Sequence, residues 1–136
     1  MNQSIRTLIV DDKFPACKAL KALLTVMPFI EVVGQATNGQ EAVHLVKELH
    51  PEVVLMDIQM PGMDGLEATR RIKSNWPDVR VIILTMYTTY RSEALAAGAD
   101  CYLIKGCDRK ILLESVLNTS IIESQHEMFN KTVNVI

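Results

Sequence analysis

Four times along this chain a short apolar run stops abruptly at a polar side chain, and this recurrence constrains the fold more than any other feature. Thr7-Leu8-Ile9-Val10 stops at Asp11-Asp12, Val53-Val54-Leu55-Met56 at Asp57, Val81-Ile82-Ile83-Leu84 at Thr85, and Cys101-Tyr102-Leu103-Ile104 at Lys105. Runs this short, rich in β-branched residues and bounded by turn signals, read as buried strands. A fifth candidate strand, Ile30 to Ala36, is weakened by Glu31, Gly34 and Gln35 and suits the edge of a sheet better than its centre.

Between the runs the period changes. Cys17, Leu20, Leu23, Leu24 and Met27 recur at spacings of three and four after Pro15, which sits where a first helical turn tolerates proline, and Pro28 ends that helix. Asn38 with Glu41 forms a capping box for a second helix, whose buried side is Ala42, Val43, Leu45, Val46 and Leu49, closed by His50-Pro51. Asp64 with Glu67 starts a third, with Leu66, Thr69 and Ile72 inward up to about Ser74. A short Ala-rich helix is expected from Tyr90 to Ala97 with Gly98 as its C-terminal cap. Asp108 caps a last helix with Leu112, Leu113, Val116 and Leu117 inward, running to about Glu123. Gln125 to Ile136 has no clear period and reads as a tail, too short for a second domain.

Strands alternating with helices predict an α/β protein with a doubly wound, five-stranded parallel sheet and helices on both faces. The first, third and fourth strands are the most apolar and belong inside. The order is then 2-1-3-4-5, a flavodoxin-like (βα)5 arrangement that binds ligands beyond the carboxyl ends of its strands, near the first and third. At 136 residues, 49% apolar and 22% charged, the chain makes one compact domain. A net charge of -2 leaves no electrostatic footprint for nucleic acid or an anionic membrane. No apolar stretch is long enough to span a bilayer, and Met1-Asn2-Gln3-Ser4 lacks the plan of a signal peptide, so a cytoplasmic location is expected. Cys17, Cys101 and Cys107, an odd set without CxxC spacing, read as reduced thiols rather than ligands or disulfides.

The four polar strand ends share one edge of that sheet, and neighbouring strands are only about 4.8 Å apart. Asp11, Asp12 and Asp57 therefore converge, and two like charges about 4 Å apart repel by roughly 4 kcal/mol at an effective dielectric near 20. Lys105 offsets part of this. A hard divalent cation with oxygen ligands offsets the rest, and Mg²⁺ suits an open site of this kind. In such a site Asp57 is placed to act as a nucleophile that carries a covalent intermediate, an aspartyl-phosphate among the possibilities. Asp12 with Asp11 holds the metal, Lys105 clamps charge, and the Thr85 hydroxyl hydrogen-bonds the product.

With these residues in hand, the sequence resembles the receiver domain of bacterial two-component response regulators. The matching motifs are Val10-Asp11-Asp12, Asp57-Ile58-Gln59-Met60-Pro61-Gly62-Met63-Asp64-Gly65, Leu84-Thr85, and Ala97-Gly98-Ala99-Asp100 through Lys105, in that order over residues 5–122. The resemblance implies a receiver domain over residues 5–124, with 125–136 a tail or the start of a linker. It implies that Asp57 accepts phosphate from a phosphohistidine on a sensor histidine kinase. It also implies Mg²⁺ held by Asp11 (partly through water), Asp12, Asp57 and the backbone carbonyl of Gln59, and no enzymatic role beyond the chain's own phosphoryl transfer and dephosphorylation. Thr85 and Tyr102 would form the switch, acting on the surface of the fourth helix, fifth strand and fifth helix. Glu31 to Ala36, Asn38 to Ala42 and Leu84-Thr85-Met86-Tyr87 resemble receivers that precede LuxR-type helix-turn-helix domains. DNA binding would then require an output domain outside this sequence, with homodimerisation on phosphorylation an open possibility. The chain is expected to be the receiver piece of a longer transcriptional regulator; a stand-alone receiver working through protein contacts is the alternative.

One departure from the family pattern, one plainer role for Tyr102 and one competing class stand beside the resemblance. Many receivers place Pro after the Lys; here Gly106 follows, and a trans peptide is expected because a non-proline cis bond costs about 2.5–4 kcal/mol. Tyr102 also suits ordinary edge-strand packing. An aspartate-nucleophile phosphatase needs Asp-x-Asp after its first strand, whereas Asp11 and Asp12 are adjacent and followed by Lys13.

Overall fold

The structure, a computed structural model, describes residues 4–118. Five strands alternate with five helices: β1 (Ile5–Val10), α1 (Phe14–Thr25), β2 (Ile30–Ala36), α2 (Gly39–Leu49), β3 (Val53–Met56), α3 (Gly65–Asn75), β4 (Arg80–Thr85), α4 (Arg91–Ala96), β5 (Cys101–Ile104) and α5 (Arg109–Leu117). All strand pairs are parallel and the order is β2-β1-β3-β4-β5, as the apolar ranking of the runs predicts. Every residue of β3 is buried, and Val81 to Leu84 of β4 pack into the same core with Leu8, Ile9 and Val10. β2 is buried only at its two ends, as an edge strand with Glu31, Gly34 and Gln35 must be. Among the described residues no helix is long and apolar enough to cross a membrane.

Helix starts follow local chemistry. Asn38 Oδ1 accepts from Glu41 N at 2.8 Å, Asp64 Oδ1 from Glu67 N at 2.9 Å, and Asp108 Oδ1 from Lys110 N at 2.8 Å, so α2, α3 and α5 have side-chain caps. The capping box of α2 differs in one detail. The Glu41 carboxylate reaches past the cap residue to the backbone N–H of Thr37, at 2.7 Å. The expected inward stripes are present, and Ser115 joins Leu112 and Val116 on the buried side of α5. β1 starts two residues earlier than its apolar run, because Ile5 N bonds to the Phe29 carbonyl at 2.8 Å. α4 covers only Arg91–Ala96, with Tyr90 and Ala97 as its flanks. α5 ends at Leu117, not near Glu123 as expected, because Asn118 takes a left-handed C-cap conformation at φ 49° with its N–H on the Glu114 carbonyl. The tail 125–136 and the domain boundary at 124 lie outside the described residues.

Candidate phosphoryl and metal site

Strand register delivers the site. Val10 pairs with Met56, so Asp11 and Asp57 leave adjacent strands at the same level. Met56 pairs with Ile83 and Thr85 with Ile104, which sets Thr85 and Lys105 at the same edge, each one step further along. Both Asp11 and Asp57 are buried, at 5% and 4% exposure, while Asp12 lies at the open side of the group with its side chain 28% exposed. One carboxylate oxygen from each of the three lies within 4.8 Å of the others.

The cations are as predicted in one case and unforeseen in another. Lys105 Nζ donates to Asp11 Oδ2 at 2.6 Å and to Asp57 Oδ2 at 3.1 Å. Burial alone would lower the Lys105 pKa, but its hydrogen bonds to the two carboxylates outweigh that and hold the ammonium above its ordinary range. Lys13 Nζ stands 3.3 Å from Asp12 Oδ1 and 3.9 Å from Asp57 Oδ2. Lys13 follows the carboxylate pair in the sequence, and a cation beside two adjacent carboxylates is itself a signal of a shared site. The other oxygens are fixed by backbone: Ile58 N donates to Asp57 Oδ1 at 2.8 Å, and Lys13 N to Asp11 Oδ1 at 2.9 Å.

Thr85 is fully buried at the edge, and its hydroxyl oxygen accepts from Tyr87 N at 3.3 Å. Tyr102, 4% exposed, donates its phenol proton to the Tyr87 carbonyl. The Tyr87 peptide groups are thus held by Thr85 on one side and Tyr102 on the other. Burial raises the Tyr102 phenol pKa, so it stays a donor at neutral pH. Gln59 is exposed; its amide donates to the Tyr90 hydroxyl at 3.1 Å, and the Tyr90 ring meets Tyr87 edge-on at 6.0 Å. Neither tyrosine was legible as a site residue: Tyr87 lies outside any periodic element, and Tyr90, expected as the first residue of the fourth helix, is its N-cap. After Lys105 the chain turns at Gly106, with φ +91° and, like the other described residues, no cis peptide bond. A left-handed φ suits glycine and takes the place of the proline turn.

Three hard carboxylate oxygens grouped beside an ammonium form a donor set that fits a small divalent cation such as Mg²⁺. A larger cavity of about 620 Å³, lined by Trp76, Pro77 and Arg80, opens at the opposite pole of the sheet and shares no residue with the carboxylate cluster. A second, of about 540 Å³, lies between α1 and α5 and reaches Asp11 and Lys105. The cysteines stay free, with thiol pKa values raised mainly by burial, in line with inert packing.

Comparison with known proteins points the same way as the geometry. The family profile described as the response regulator receiver domain matches residues 7–117. The transcriptional regulatory protein DegU of Brevibacillus brevis is 39% identical over 114 residues, which are 82% of this chain and 48% of DegU. The chain spans about half the length of the curated relatives it matches. A LuxR-family two-component response regulator from Aurantimonas sp. SI85-9A1 superposes with a TM-score of 0.80 at 31% identity, covering 85% of this chain and 84% of that one. A chain of the CheX-CheY-BeF3-Mg+2 complex from Borrelia burgdorferi gives 0.78 at 28% identity, with 85% and 89% coverage.

Proposed function

The chain belongs to the response regulator receiver family, and we propose that it is a phosphorylation-dependent switch whose phosphoacceptor is Asp57. The observation that carries this reading is the setting of one carboxylate. Asp57 is 4% exposed, 3.1 Å from the Lys105 ammonium and grouped with Asp11 and Asp12. An Asp57 oxygen attacks phosphorus while the P–N bond to a kinase histidine breaks, and the imidazole leaves with the bonding electron pair. Lys105, already oriented by Asp11, meets the charge on the transferred oxygens without reorganising.

Asp11, Asp12, Asp57 and the backbone carbonyl of Gln59 would hold Mg²⁺, which when bound neutralises phosphoryl charge. The BeF3 and Mg named with the Borrelia CheY complex support this choice. Thr85 then trades the bond its oxygen accepts from the Tyr87 N–H for one that its hydroxyl donates to a phosphoryl oxygen. Because Tyr102 holds the other side of Tyr87, that trade reaches the α4–β5–α5 surface through one residue of backbone.

The chain catalyses only its own phosphoryl transfer and dephosphorylation. Residues 5–124 form the receiver unit, with 125–136 a tail or the start of a linker. The receiver works in the cytoplasm with a sensor histidine kinase. DNA is reached through a separate output domain, a reading supported by the DegU relative described as a transcriptional regulatory protein.

Acetyl phosphate with Mg²⁺ should add one phosphoryl group, detected by intact mass, and Asp57→Asn should abolish the addition. Labelling that persists in Asp57→Asn overturns the assignment. Steady turnover of small phosphate esters by the unaltered chain would instead favour a phosphatase.

A further inference from the structure

We propose that Lys13 is a resident counter-cation that competes with the divalent ion, so that metal binding requires its displacement; this role rests on the reading of Asp11, Asp12 and Asp57 as a Mg²⁺ site. Lys13 occupies the N-cap position of α1, with φ -97° and no side-chain cap bond, whereas α2, α3 and α5 use Asn38, Asp64 and Asp108 there. A lysine is a poor cap, and its charge opposes the helix dipole. Nothing local to the helix accounts for it. What it faces does: its ammonium lies 3.3 Å from Asp12 and 3.9 Å from Asp57, two of the three carboxylates that would hold the metal.

The two ammonium groups at the site are not equivalent. Lys105 is 17% exposed and bonded to both buried carboxylates at 2.6 and 3.1 Å. Lys13 is 57% exposed, makes only the longer contacts, and has solvent to swing into. Three carboxylates against two ammonium groups leave the cluster near charge balance without a metal. A divalent ion entering between Asp12 and Asp57 must repel the nearer, looser cation outward, while Lys105 can remain on Asp11 and Asp57. Lys13 thus lowers Mg²⁺ affinity and lowers the electrostatic cost of the metal-free state.

The test uses the full chain as wild type, Lys13→Gln and Lys13→Arg, with Mg²⁺ titrated calorimetrically and thermal unfolding followed in EDTA and in saturating Mg²⁺. Lys13→Gln should bind Mg²⁺ about three- to tenfold more tightly at low ionic strength, by a margin that shrinks with added salt, and Lys13→Arg should match wild type. In EDTA Lys13→Gln should melt below wild type, and in saturating Mg²⁺ that deficit should vanish. Equal Mg²⁺ affinity in wild type and Lys13→Gln, or a melting deficit that is the same with and without metal, overturns the role of Lys13. Absence of Mg²⁺ binding in both proteins overturns the metal reading itself, and the competition with it.

Discussion

On the β3–α3 side of Asp57 hydrogen bonds tie down the start of α3. Gly65 N donates to the Ile58 carbonyl at 2.7 Å, Thr69 Oγ1 returns to the Gly65 carbonyl at 2.7 Å, and Asp64 caps α3. A Cβ placed on Gly65 would come within 1.9 Å of the Asp57 carbonyl oxygen, so the helix start and the strand leading to Asp57 are in direct backbone contact. On the β4–α4 side, Met86 and Tyr87 are 63% and 41% exposed, α4 is six residues long without a side-chain cap, and Leu95 is half exposed. Arg91 Nη1 is buried there without a hydrogen-bond partner among the described residues. One side of the site holds Asp57 still. The other, with few packed contacts and unspent hydrogen-bonding capacity, has the character of an element that opens at low free-energy cost.

Substitutions on each side test that contrast. Gly65→Ala should have the largest effect, a loss of about 3 kcal/mol in urea unfolding, because backbone rather than a flexible side chain stands in the way. A loss below about 1 kcal/mol would show that the β3–α3 junction yields as readily as its neighbour. Asp64→Ala removes one helix cap and should cost about 1 kcal/mol by the same measurement. Met86→Ser, on the exposed loop, should stay within about 0.5 kcal/mol of wild type. A loss as large as that of Asp64→Ala would mean the β4–α4 loop is packed more firmly than its exposure indicates.

Much of this architecture is legible in single residues. Asn38, Asp64 and Asp108 announce their helices because a cap bonds two or three residues ahead, within reach of a local reading. β3 is recognisable because four buried residues in a row leave no alternation to confuse. The extent of α4 is less legible: alanines favour a helix from Tyr90 to Ala97, yet the ends of so short a helix are decided by what its flanks bond. Gly106 could be read as a departure from a proline turn, but its φ of +91° shows how the same bend is made.

From the sequence alone follow the alternation of strands and helices, the burial of β1, β3 and β4, and the meeting of Asp11, Asp57, Thr85 and Lys105 at one edge. All depend on period and on where apolar runs stop, which are local properties. Tertiary structure alone decided which particular oxygens and side chains pair within that group. Lys105 reaches Asp11 from 94 residues away, Asp12 lies at the open side of the group while its neighbour Asp11 is buried, and Lys13 turns back toward the carboxylates instead of away. It also decided that Tyr87 is held between Thr85 and Tyr102. Electrostatic partners and loop hydrogen bonds are chosen by distance in space, and no period in the sequence encodes that distance.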